Sequence, residues 1–127
     1  MKVVDASAMI DVLTLTSRGR KLLPIIDDDL FAPDLLIPEV YSFLRRMVAA
    51  KRLTPPAADE LSLRLRQAPI EYLPTWPCAD RMWGWRQNVS PYDAAYVALA
   101  ADLGAPLVTT DSRLSRAAEE LATVITV

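Results

Sequence analysis

Four carboxylates stand out by position: Asp5 after "KVV", Glu39 in "PEVYSFLRR", Asp93 in "SPYDAAYVALA" and Asp111 after "LVTT". Each falls at the expected end of a strand or the expected start of a helix. Taken singly, each has an ordinary explanation. Asp5 and Asp111 suit helix N-caps, Ser90-x-x-Asp93 matches a capping box, and Glu39 behind Pro38 suits the positive end of a helix dipole. Taken as a set they point further. Two like charges ~5 Å apart cost about 3 kcal/mol at an effective dielectric near 20, so four that converge require a neutralising cation. The chain has 0 His and one cysteine, which excludes His-based catalysis, a Ser-His-Asp triad and a Cys/His zinc site. Any metal must be held by oxygen, which favours Mg²⁺ or Mn²⁺. Such an ion lowers the pKa of a bound water and offsets charge developing on a phosphate, chemistry that needs neither His nor Lys.

The elements that must position these acids can be read from pattern. "KVVD" predicts a buried strand and "ASAMIDVLTL" a helix directly behind it. "SRGRKLLPIIDDD" predicts a second helix, ended by Pro24 and the acidic run 27–29, which reads as a solvated loop. "LFAP" predicts a short strand. "PEVYSFLRRMVAAKRL" predicts an amphipathic helix with Val40, Phe43, Leu44, Met47 and Val48 on one face. Thr54 and Pro55 open the next helix, "IEYLP" is a strand, and "CADRMWGWRQN" is a helix. "SPYDAAYVALAADLG" predicts a helix capped by Ser90 and stopped by Gly104. "PLVTT" predicts a strand, "SRLSRAAEELA" a helix and "VITV" a last strand. Alternating strands and helices imply an α/β layer structure around a mostly parallel sheet, with its ligand site outside the carboxyl ends of the strands.

The totals set the class. The 127 residues, 52% of them apolar, suit one compact domain over 1–127. The formal net charge of -2 gives no bulk attraction to nucleic acid or anionic lipid, although the arginines could form a local patch. The absence of an 18-residue apolar run argues against a membrane span, and the acid at position 5 argues against a signal peptide. A lone Cys78, read as a small half-buried residue, fits a reducing, cytoplasmic setting.

At "VVDASAMID", "PEVYSFLRR", "SPYDAAYVALA" and "LVTTDSRL" the chain resembles the PIN-domain family, specifically VapC-type toxin ribonucleases, over nearly its whole length. The resemblance implies a three-layer α/β/α sandwich and a metal-dependent endoribonuclease. It also implies a toxin paired with a VapB-type antitoxin that covers the site, and a homodimer. Carried over by position, Asp5, Glu39, Asp93 and Asp111 form the catalytic set. Asp5, Asp93 and Asp111 would hold the Mg²⁺ or Mn²⁺, and Glu39 would complete the shell or orient the attacking water. Ser7 matches a small hydroxyl residue that supports the first acid. Two departures leave the metal count open: Ser42 stands where many relatives have Asn, and Arg113 where some have a further acid.

Arg113 could reach a substrate phosphate or pair with a site acid. Of Tyr92 and Tyr96, one is expected in the core and one outside. Asp11 reads as a helix-surface residue or a supporting acid. Met9, Val12 and Leu13 serve either the core or an interface. Of Trp76, Trp83 and Trp85, at least two are expected to pack against the sheet, the sharper alternative being a stacking surface for bases or a partner anchor. An aspartyl-phosphate mechanism fits poorly. Ser7 stands where phosphatases of that kind need a second Asp, and Lys2, Lys21 and Lys51 are the only lysines. The non-enzymatic alternative is a PIN-like module that binds RNA or a partner without cleaving. Which RNA would be cut is not legible in the sequence.

Overall fold

The structure, a computed structural model, describes residues 1–26 and 29–127. Among these residues, five parallel strands form the centre: β1 (Lys2–Val4), β2 (Leu30–Pro33), β3 (Ile70–Leu73), β4 (Leu107–Val108) and β5 (Val124–Ile125). Their order is β3-β2-β1-β4-β5. The chain therefore builds outward from β1 in one direction, then returns to its other side with β4. Where strand order reverses, the crossovers leave to opposite sides and open a crevice at the carboxyl ends. Here that point lies between β1 and β4.

Among the described residues, seven α-helices complete the layers: α1 (Ala6–Leu13), α2 (Ser17–Leu22), α3 (Leu36–Ala49), α4 (Pro55–Gln67), α5 (Ala79–Gly84), α6 (Pro91–Leu103) and α7 (Ser112–Ala118). Helix α6 lies across β1, β2 and β4, and α1 packs with α2, α3 and α4. The alternating pattern implied an α/β layer structure around a parallel sheet, and the sheet is parallel throughout; the α/β/α sandwich is the one that the family resemblance implied. Every residue from Ala94 to Ala100 is buried. A helix apolar on all sides belongs inside, and the small alanines let it approach the sheet closely. Val3, Val4, Ala32, Leu107 and Val108 form the sheet's part of the core.

Several expected elements hold with shifted ends. Thr54 caps α4 by accepting from Ala57 N, and Gly104 ends α6 in the left-handed region at φ 61°. Helix α3 begins at Leu36, so Pro38 is its third residue, where the missing N–H is no loss, and Glu39 lies in the first turn. The helix expected over "CADRMWGWRQN" is shorter. A 3₁₀ turn at Trp76–Cys78 leads into α5, which ends at Gly84. Of the acidic run, Asp27 and Asp28 lie outside the described residues, and Asp29 is exposed.

Candidate active site

The site grows from the β1–β4 edge. Asp5 N donates to Val108 O at 3.1 Å, which carries the β1–β4 pairing one residue past β1. This sets the Asp5 carboxylate against Thr109 and under the first turn of α1. Asp5 is only 3% exposed. Its Oδ1 caps α1 by accepting from Ala8 N at 2.8 Å, and takes the Ser7 hydroxyl at 2.7 Å. Its Oδ2 takes the Thr109 hydroxyl at 2.5 Å. Burial pushes the Asp5 pKa up to about 6, and the charge on Asp111 adds to the rise. The bonds from Thr109, Ala8 and Ser7 oppose it without cancelling it.

The same hydroxyls reach the last acid. Asp111 N donates to Thr109 Oγ1 at 3.0 Å, and Thr110 N donates to Ser7 Oγ at 3.2 Å. Asp111 caps α7: its Oδ1 accepts from Arg113 N and Leu114 N at 2.9 and 3.2 Å. Its Oδ2 lies 3.7 Å from Arg113 Nη2. That same nitrogen donates to Asp93 Oδ2 at 3.3 Å, so one guanidinium joins the two acids.

Asp93 is held by Ser90, whose Oγ accepts from Asp93 N at 3.1 Å. The Asp93 carboxylate is left facing Arg113. One turn on, Tyr96 is buried and its hydroxyl donates to Glu39 Oε1. Burial raises the Tyr96 pKa well above the ordinary phenol value. The bond to Glu39 adds to this, and so do the charges on Glu39, Asp5 and Asp93. A single buried ring thus senses three of the four acids. The four residues singled out by position in the sequence meet at one end of the sheet, linked by Ser7, Thr109, Tyr96 and Arg113.

Two of those linkers were not singled out as site residues. Thr109 was read only as part of a strand, although it ends one beside an acid. Of Tyr92 and Tyr96 one is expected in the core, and it is Tyr96; its spacing of three from Asp93 places both on one face of α6. Asp11 sits away from this set, accepting from the Thr16 hydroxyl at 2.9 Å in the α1–α2 turn. Cys78 donates to Asp102 Oδ2 at 3.2 Å, and its thiol pKa is pushed up to about 11, chiefly by burial. Ser42 accepts from Arg46 Nη1 on the exposed side of α3.

The expectation for the tryptophans is overturned. Trp76 is 82% exposed and Trp83 69%, while only Trp85 packs against the core. No residue of α5 is buried. A six-residue helix at the perimeter has too little face to cover three indoles, and the two-residue step from Trp83 to Trp85 turns them to different sides.

Among the described residues, no three Asp, Glu or Cys side chains are spaced as they stand to share one metal ion. Arg113 occupies the space between two of the acids, and protein hydroxyls or amides bind the rest. No described helix is long and apolar enough to cross a membrane.

Residues 2–120 match the model of the PIN domain family. Ribonuclease VapC9 of Mycobacterium tuberculosis is 38% identical over 115 residues, covering 91% of this chain and 89% of the relative. PAE2754 from Pyrobaculum aerophilum superposes with a TM-score of 0.75 at 23% identity, over 97% of this chain and 87% of the other. VapC20 of Mycobacterium tuberculosis, described as a Sarcin-Ricin loop cleaving toxin, superposes with a TM-score of 0.70 at 18% identity, over 92% of this chain and 95% of that one.

Proposed function

The chain belongs to the PIN-domain family, and from that membership we propose that it is the RNA-cleaving toxin of a VapBC-type pair. It works as one nuclease domain over residues 1–127, on RNA phosphodiesters in the cytoplasm. The observation that carries the reading is the convergence of Asp5, Glu39, Asp93 and Asp111 at the carboxyl ends of β1 and β4. Family membership alone would allow a non-catalytic module, but such a module has no need for a buried carboxylate that costs stability when ionised. A toxin that cuts its maker's own RNA also needs a restraint, which a VapB-type antitoxin supplies by covering the site. The functional unit is a homodimer.

The donor set fits a hard divalent cation. It is all oxygen, it is over-rich in negative charge, and its deepest member, Asp5, resists ionisation chiefly because it is buried, with the charge on Asp111 adding to the rise. Asp5, Asp93 and Asp111 would hold Mg²⁺ or Mn²⁺. The ion supplies a water of lowered pKa and neutralises charge on the phosphate. The protein's own part is positional. Ser7, Ala8 and Thr109 fix the Asp5 carboxylate, with two donors on Oδ1 and one on Oδ2, so Oδ2 keeps acceptor capacity for a further partner. Tyr96 holds Glu39 by one oxygen, so the other is free to orient a water. Arg113, released from Asp93 and Asp111, can meet a substrate phosphate.

The test is cleavage of total cellular RNA by the purified chain in Mg²⁺ or Mn²⁺, with the fragments sequenced. We expect loss of cleavage in chelator and a drop of at least about 100-fold in Asp93→Asn, the scale of losing one electrostatic contact to the transition state. An Asp93→Asn protein that cuts at the parent rate rules the reading out.

A further inference from the structure

Beside the acids lies a cleft of about 600 Å³, lined by Asp34, Pro38, Thr75, Met82 and Tyr92 among others. A second cleft of about 400 Å³ adjoins it through Thr75, Met82 and Pro91 and adds Trp76 and Trp83. Together they form one groove. Its inner wall is made of the residues next to the acids: Pro38 precedes Glu39, and Tyr92 precedes Asp93. Adjacent residues lie ~3.8 Å apart at Cα, so the groove begins where the acid cluster ends.

Three large rings stand open along it. Trp76 is 82% exposed, Trp83 69% and Tyr92 61%. Exposing such rings to water is unfavourable, and neither the core nor the acid cluster uses them. Two cations sit on residues next to the groove. The Arg86 guanidinium stacks over the Trp83 ring, 4.6 Å from its centroid. Arg113 is 70% exposed and joins Asp93, the neighbour of Tyr92, to Asp111. The groove's lining includes polar groups, the Asp34 carboxylate and the Thr75 hydroxyl, that can accept hydrogen bonds from base edges.

We propose that this groove is a nucleobase-binding subsite for single-stranded RNA, in which bases beside the cleaved phosphate stack on Tyr92, Trp83 and Trp76. The inference rests on the ribonuclease reading above. A strand lying here would place one phosphate at the acids and its neighbours near Arg113 and Arg86. The acids themselves repel a polyanion, so affinity has to come from elsewhere. Base–aromatic stacking supplies affinity without reading sequence. Duplex RNA cannot use the groove, because its bases are already stacked within the helix. A second copy of the chain is a poorer occupant. It would seat against Pro38 and Tyr92 and close off the acids.

The test measures binding of a fluorescent mixed-sequence 12-nucleotide RNA single strand, and of the same strand in a duplex, to full-length Asp5→Asn protein, which holds the RNA uncut. Trp76→Ala, Trp83→Ala and Tyr92→Ala are then added singly. All three positions are exposed, and a thermal melt checks that each variant keeps the parent fold. We expect the single strand to bind tighter than the duplex. Each alanine should weaken it on the order of ten-fold, and Tyr92→Phe should restore binding, because the ring and not the hydroxyl does the stacking. Folded alanine variants that bind the strand like the parent overturn the proposal while leaving cleavage by the intact chain untouched. Variants that change the sedimenting mass with no change in RNA binding overturn it in favour of self-association. If the intact chain neither binds nor cuts RNA, both readings fall together.

Discussion

Asp5 carries the conflict on which the site turns. It is a helix cap and a sheet-end acid at once, and both of its oxygens are bonded by the protein. Burial nevertheless raises its pKa from 3.8 to about 6. A raised folded-state pKa means that the protonated form is favoured by folding. The resulting stability is present in full below the unfolded value near 3.8 and is lost as pH rises through about 6. At about 1.36 kcal/mol per unit, the loss is on the order of 2–3 kcal/mol. In chelator, the parent should therefore lose stability between pH 4 and 7 relative to Asp5→Asn. The variant should be the more stable of the two at pH 7, yet inactive. Its amide oxygen can still accept from Ala8 N and Ser7, and its amide nitrogen can donate to Thr109 Oγ1. Urea melts of both proteins across that range check this; a variant less stable than the parent at pH 7 contradicts it.

Among the elements, the α1–α2 turn shows how tightly the scaffold behind the site is packed. Thr16 caps α2 by accepting from Gly19 N, and its hydroxyl donates to Asp11. A Cβ on Gly19 would lie 1.9 Å from the Asp11 carbonyl oxygen, a backbone atom that cannot swing aside. Gly19→Ala should therefore cost roughly 1–3 kcal/mol, read as a lower urea midpoint, because overpacking forces the backbone to shift. Cleavage per folded molecule should stay near the parent value, since neither Gly19 nor Asp11 touches the acid cluster. This glycine was not distinguishable in the sequence: "SRGR" fits an ordinary helix, and only the approach of α1 makes it obligatory. The α6 boundaries, by contrast, were legible. Ser90, Pro91 and Gly104 are local signals whose physics acts within a few residues.

For the whole molecule, the acids form a store of unfavourable charge that a divalent cation would release. Mn²⁺ at ~100 times its dissociation constant adds about 2.7 kcal/mol, which for a chain of this size raises the melting temperature by about 10 °C. Asp93→Asn should lose most of that increment. An equal Mn²⁺ shift in parent and variant would place the ion elsewhere. Arg113→Ala should strengthen the Mn²⁺ response, because it removes the cation that now joins Asp93 and Asp111.

The sequence by itself determined the alternation of strands and helices, the caps, and the chemistry of a site with no histidine. These are matters of residue type and short spacing. It also placed the four acids at element ends, where each could equally have been a cap. Only the tertiary structure decided that two of them, Asp5 and Asp111, are caps and cluster members at once. Sheet order brings β4 beside β1, and no local pattern encodes which strands pair across a hundred residues. The same holds for Thr109 and Tyr96, whose partners lie 104 and 57 residues away. It holds too for Trp76 and Trp83, since indoles that look like core material stand in water once the short α5 is left at the perimeter.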